Sequence, residues 1–457
     1  MKKFTTIRSL LNALAKAMNL IDPTIEDHHQ QTAYLAYQIG AEMGIETEDL
    51  HMIISSALLH DVGTIVMPQK KNLLEYEEHR REIARIGAGM IRDLKPFESI
   101  AGIIELCQNS YQENERFART EGCRKMLQGN GIRQCLAIAE TIHMADIISA
   151  VWDKDADILN QVPRIREGIA SGRGTEFSDR AVDAFLRMSR REYVWMDFAL
   201  NPSFLDYFVG DMHEVSLTQA VGLTRLMSRI IDFRSSFTAM HSAGVAASAK
   251  ALAELAGMDS ESCLKMEIAG NLHDVGKLRV PNEILEKPGK LTEEEFNKVK
   301  EHPYYTRLIL MDVEGFEEIA DWAGFHHEKL NGKGYPFHFD ESTLSFGSQI
   351  MTVADIFSAI TEDRPYRKPM SREMAMRIMW ENVGRGEINR EIVQLLEDHY
   401  DEVNTARMEK SLEAGARYYA THQASSPSPS PSASPSPSPS PSASTSSSSS
   451  PSPAPSS

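Results

Sequence analysis

Between residues 241 and 355 the chain sets out, in order, His241, the pair His273-Asp274, His302, the pair His326-His327, and Asp355. Imidazole and carboxylate together bind first-row transition ions, and donors converging from separate helices are how a helical bundle builds such a centre. Any one of these histidines alone would more often be a hydrogen-bonded structural residue; it is the ordered set that points to metal. The set is larger than one four-coordinate ion with an open position requires. It predicts two ions, one held by His241, His273 and Asp355, the other by His302, His326 and His327, with Asp274 bridging. Iron or manganese suits these donors first, with zinc, nickel or magnesium as alternatives. Two ions about 4 Å apart would activate a water and polarise a phosphoryl oxygen, so the expected reaction is phosphodiester hydrolysis. Lys277 follows Asp274 by three residues and His273 by four, which on a helix turns its ammonium to the same side. There it would stabilise transition-state charge or protonate the leaving oxygen.

The elements that must position these groups read as helices. The stretch 241-HSAGVAASAKALAELAG-257 places small and apolar residues at three-to-four spacing and closes on Gly257. In 291-LTEEEFNKVKEHP-303, Thr292 and Glu295 form a capping box, and Pro303 ends the segment by disfavouring helix at His302. Alternating strand patterns are scarce, so the fold class expected is all-α.

A long-period repeat organises the whole. The block 57-ALLHDVGTIVMP-68 is echoed by 270-GNLHDVGKLRVP-281, 145-ADIISA-150 by 354-ADIFSA-359, and 172-GRG-174 by 384-GRG-386. His28 stands before the first block as His241 does before the second, and His79 is read as the counterpart of His302. Two helical domains of common origin are expected over 21–197 and 233–405, joined by a helical connector over 198–232. The first repeat keeps His28, His60, Asp61 and Asp146, a minimal set for one ion, with His29 as an alternative to His28. It has Thr64 where the second has Lys277, and Cys107 and Gln108 near the place of the histidine pair. It therefore reads as a degenerate domain that regulates or dimerises, through itself or a signalling partner protein.

Taken together, 272-LHDVGK-277, 302-HP-303, 326-HHEKLNGKGYP-336 and 354-ADIFSAITEDRPYR-367 resemble the HD-GYP family of cyclic di-GMP phosphodiesterases across the whole second repeat. The resemblance implies two tandem HD-type helical bundles, a two- or three-metal site on the positions above, and hydrolysis of cyclic di-GMP to pGpG or GMP. It implies that Tyr335 contacts the substrate from the GYP loop, and that Arg364 and Arg367 bind its phosphate or guanine groups. Members with a third metal carry Glu four residues before the first His and often Asp three residues after the last Asp. Phe237 and Ser358 stand there in this chain, so a binuclear site is expected. Thr306 also occupies a position where the family commonly has glycine, which puts the local helix packing in question.

Composition bounds the rest. The chain has 457 residues and a formal net charge of −17, which argues against a protein that grips nucleic acid polymers non-specifically. Its four cysteines form no metal-binding spacing and suit a reducing cytoplasm. No apolar run approaches membrane-spanning length, and residues 1–20 read as an amphipathic helix rather than a leader. Residues 406–424 extend the second domain as helix. From 425 to 457 the sequence is almost wholly Ser, Pro and Ala, a composition that predicts a disordered tail.

Overall fold

A computed structural model describes residues 3–21, 27–66, 73–92, 98–127, 131–200, 214–232, 236–363 and 368–425. The expected all-α class holds: among these residues the only strands are Thr5–Thr6 and Glu214–Val215, paired antiparallel. The Ser/Pro-rich stretch read as a disordered tail lies outside the described residues from 426 onward.

The internal repeat is a repeat of helices. In the first copy, His28–Glu42, Thr47–Leu59, a 3-10 turn at Val62–Val66, Leu73–Ile91, Glu98–Leu106 and Ile132–Val151 follow one another. In the second, Ser236–Leu255, Ser260–Leu272, a 3-10 turn at Val275–Arg279, His302–Met311, Glu317–Gly324 and Phe346–Thr361 take the same order. In both copies the histidine of the His-Asp pair caps the second helix, and the Asp opens the tight turn that follows.

That turn fixes the packing. A Cβ on Gly276 would lie 2.1 Å from the carbonyl oxygen of His302 and 2.8 Å from the amide of Thr306, so the backbone of the turn rests directly on the His302–Met311 helix. Gly63 makes the same approach in the first copy, 2.1 Å from the carbonyl of Ile83 and 2.9 Å from the amide of Gly87. The structural counterpart of His302 is therefore Ile83, not His79, which lies one helical turn upstream. Thr306 answers to Gly87 and creates no packing fault. Its buried hydroxyl donates to the carbonyl of His273 at 2.8 Å and accepts the amide of Gly276 at 3.1 Å, tying the metal-bearing turn to the helix below.

Three further expectations change in detail. The capping box at Thr292 and Glu295 is present and the helix Glu293–Val299 follows it, yet a new helix begins at His302 itself. Pro303 sits in its first turn, where a missing N–H costs nothing. The helix Ile7–Asn19 is capped by Thr6 but buries most of its circumference, because it packs against elements of both repeats. The 406–424 extension is not separate: one helix, Tyr400–Ser425, packs along Ser236–Leu255, with the Ser411 hydroxyl donating to the carbonyl of Met240 at 2.8 Å. In the connector, Leu217–Asp232 buries Leu223, Leu226, Met227, Ile230 and Ile231 against the second repeat; residues 201–213 lie outside the described set. One helix, Ile132–Val151, is long and apolar enough to span a membrane by length and composition, but 67% of its apolar window is buried inside the protein.

Candidate metal centre

The seven predicted donors of the second repeat come together. His241, His273 and Asp355 place one donor atom each within 4.8 Å of one another, and so do His302, His326 and His327, and again His273, Asp274 and His326. Asp274 lies between the groups: its Oδ2 is 3.3 Å from His273 Nε2, while its Oδ1 is 3.3 Å from His302 Nε2 and 3.9 Å from His326 Nε2. Asp355 reaches both sides as well, with Oδ1 3.2 Å from His241 Nε2 and Oδ2 3.7 Å from His327 Nδ1.

The helix ends set the direction of each ring. His273, His302 and His326 each sit where a helix or turn leaves a carbonyl three residues back, and Nδ1 of each donates to it, at 2.8, 2.6 and 2.6 Å. That fixes the tautomer and aims a lone pair on Nε2 at the common centre, the arrangement a metal-binding imidazole needs. The Nε2 atoms of His302 and His326 then face each other at 3.3 Å, lone pair against lone pair, a contact that a cation relieves. Nε2 of His273 and Oδ1 of Asp274 are buried with no hydrogen-bond partner in the protein. The donor set thus fits divalent ions on its own geometry.

Electrostatics agrees. Burial holds the imidazoles of His302 and His326 below their usual range, and lowers His327 to about 3, so all three are neutral ligands at neutral pH. Burial alone would raise Asp274 and Asp355; His273 and Lys277 beside Asp274, and His241 beside Asp355, outweigh it and hold both well below the carboxylate range. Lys277 makes an ion pair with Asp274 Oδ2, as the spacing implied. Tyr335 packs its ring 4.8 Å from that of His327, and burial raises its phenol, which stays protonated. Arg364 and Arg367 lie outside the described residues.

One residue escaped sequence reasoning. Glu362 is buried, and its carboxylate lies 3.1 Å from Nδ1 of His241, the ring's far side from the centre. Burial would lower His241, but Glu362 and Asp355 together push it to about 10. Glu362 follows Asp355 by two helical turns and lies inside the block 354-ADIFSAITEDRPYR-367, but the sequence reading gave it no role.

In the first repeat, His28, His60 and Asp146 also form a compact buried trio, with Asp61 Oδ2 3.3 Å from His60 Nε2 and 3.8 Å from His28 Nε2. His29 points elsewhere, to Asn19 at 2.5 Å. Nothing resembling the second trio exists there among the described residues: Cys107 stands at the place of His326, its thiol turned to the carbonyl of Ile104, and Gln108 stands at that of His327. The four cysteines are free and buried.

A bundle of this topology bearing this donor order is the work of the HD family, and the chain belongs to it as a phosphodiesterase with two HD domains in tandem: HD-domain family models match residues 25–151 and 225–392. It is 42% identical over 421 residues, 82% of this chain and 91% of the relative, to 3'3'-cGAMP-specific phosphodiesterase 3 of Vibrio cholerae. It is 25% identical over 402 residues, 85% and 91% of the two chains, to 3'3'-cGAMP-specific phosphodiesterase 1 of the same organism. A cyclic di-GMP phosphodiesterase of Pseudomonas aeruginosa matches at 39% over 146 residues, 32% of this chain and 35% of that one. The fold matches a crystal structure of a cyclic GMP-AMP-specific phosphodiesterase of Vibrio cholerae, with a TM-score of 0.60, 21% identity and coverage of 87% of this chain and 98% of that one.

Proposed function

We propose that the second repeat hydrolyses a cyclic dinucleotide at a two-metal centre, with 3'3'-cGAMP the preferred substrate and cyclic di-GMP, the substrate implied by the GYP motif, the alternative. The observation that carries the reading is the meeting of two donor trios on Asp274. The relatives similar over most of the chain, both repeats included, carry 3'3'-cGAMP in their names, whereas the Pseudomonas cyclic di-GMP enzyme is similar over 146 residues only.

In this reading His241, His273 and Asp355 would hold one ion and His302, His326 and His327 the other, with Asp274 placed between the two sets. Such ions, when bound, supply Lewis-acid polarisation of a phosphoryl oxygen and activation of water at neutral pH. The chain's own groups do the rest. Glu362 orients His241; Lys277 gives a proton to the leaving ribose oxygen as the P–O bond breaks, while the attacking water bonds to phosphorus and loses its own proton to solvent. Tyr335 donates a hydrogen bond to the substrate from its apolar seat, and Arg364 and Arg367 take its phosphate or guanine groups. The first repeat is regulatory. Incubating Mn-loaded or Fe-loaded protein with each dinucleotide and following linear products by chromatography tests this. Turnover present in the wild type and lost in Asp274→Ala is expected; binding of either dinucleotide without turnover would replace the enzyme with a signalling adaptor.

A further inference from the structure

The metal centre answers to a phosphate, but a cyclic dinucleotide also brings two purine bases that need a surface of their own. The stretch 277–301, which leads from Lys277 to His302 and is longer than its counterpart 64–82 in the first repeat, carries the short helix Glu293–Val299. Its capping box is pinned from outside, because Lys287 pairs with Glu295 at 2.6 Å. The helix contributes no buried residue to the core, yet it holds a phenylalanine, Phe296, with 44% of its surface exposed.

A single exposed phenyl would mean little by itself; its neighbours give it meaning. The Phe296 ring meets that of Tyr335 at 5.9 Å and 79°, and Tyr335 in turn lies 4.8 Å from the ring of His327, one of the donors of the centre. Lys300, one turn on, holds Nζ 5.3 Å from the phenyl centroid, so a face of the ring is turned to a long cationic side chain and not into packed carbon. A phosphate held at the donors carries its base one ribose further out, and the series His327, Tyr335, Phe296 runs from the centre to the surface over that reach.

Resting on the reading of the second repeat as a cyclic-dinucleotide hydrolase, we infer that Phe296 is the platform on which one purine base of the substrate stacks, taking the place of the Lys300 ammonium, with the Tyr335 ring as the adjoining wall. Such stacking is tolerant of sequence because every base has a π-face, and a phenyl has neither donor nor acceptor with which to read a base edge. Phe296 therefore sets how tightly a dinucleotide binds and not which one.

Mn-loaded full-length protein is assayed with 3'3'-cGAMP and with cyclic di-GMP beside Phe296→Leu, which keeps apolar bulk but has no π-face, and Phe296→Trp. Bound manganese is counted by mass spectrometry so that rates refer to loaded protein. Phe296→Leu should keep its kcat but raise KM about tenfold or more, the scale of one lost base stack, and by the same factor for both dinucleotides. Phe296→Trp should hold KM at the wild-type value or below it. An unchanged KM in Phe296→Leu overturns the inference and leaves the hydrolase standing. So does a rise confined to one dinucleotide, or an equal rise in Phe296→Trp, which would make Phe296 a prop for Tyr335. If the wild type turns over neither dinucleotide, the hydrolase reading fails by itself, and calorimetric Kd values on the same three proteins decide the stack by the same comparison. No measurable binding would overturn both.

Discussion

The two repeats share a backbone and differ in what a few side chains bring to it. Both cap the second helix with the His-Asp histidine, both rest a glycine on the following helix so closely that an added Cβ would lie 2.1 Å from a backbone carbonyl, and both split one aspartate between two sides of a centre. In the second repeat the far side is filled by His302, His326 and His327; in the first the same places hold Ile83, Cys107 and Gln108, with Arg80 swung across. The lesson is that the HD bundle is indifferent to the chemistry mounted on it: the packing that positions the donors is retained where three of the seven donors have gone.

The sharpest way to break the comparison is to disable one side of it. Asp274→Ala removes the group that touches both trios, and turnover should fall by about a thousandfold or more, the scale expected when a metal-held catalytic constellation is lost. The residual rate, read by chromatography of the products, reports the first repeat alone; a substantial residue would make it hydrolytic.

Next is the packing the repeats have in common. Gly276→Ala forces a methyl into the carbonyl of His302 and Gly63→Ala into that of Ile83, so each should cost about 1–3 kcal/mol in chemical denaturation. If only the second lost stability, the backbone equivalence of Ile83 with His302 would be wrong.

Glu362 distinguishes the repeats more finely, since His28 has a neutral hydroxyl where His241 has a carboxylate. Glu362→Gln should weaken one ion of the second repeat by about 10–100-fold in a competitive chelator titration, the usual effect of removing a carboxylate behind a ligating imidazole. An unchanged titration would reduce Glu362 to a structural residue.

The smallest effect is one of pH on the metal-stripped chain. Burial opposes the charge on His241, but Glu362 and Asp355 raise it from 6.5 to about 10. A raised imidazole contributes stability that is fully present below pH 6.5 and is lost as the pH climbs through 10. Melting curves in chelator across that window should decline less steeply in Glu362→Gln than in the parent; parallel curves would remove the carboxylate from the account.

Much of this was legible in the sequence. The order of His241, His273, Asp274, His302, His326, His327 and Asp355 named the donors because successive helices and their ends deliver them in that order, and the echo of HDVG named the duplication. The correspondence of His79 with His302 failed because the linkers after the two HDVG blocks differ in length, 64–82 against 277–301, so the nearest histidine was taken for the equivalent one. Backbone contact at Gly63 and Gly276 corrects it. Glu362 and Arg80 were missed for a related reason: each acts across the fold on a side chain far away in sequence, and a lone Glu or Arg carries no spacing to announce that.

Anomalous diffraction at the manganese edge from crystals of the loaded protein tests the central claim most directly. Two peaks bridged by Asp274, one beside His241, His273 and Asp355 and the other beside His302, His326 and His327, are expected in the second repeat. A single peak there, or none, would contradict it.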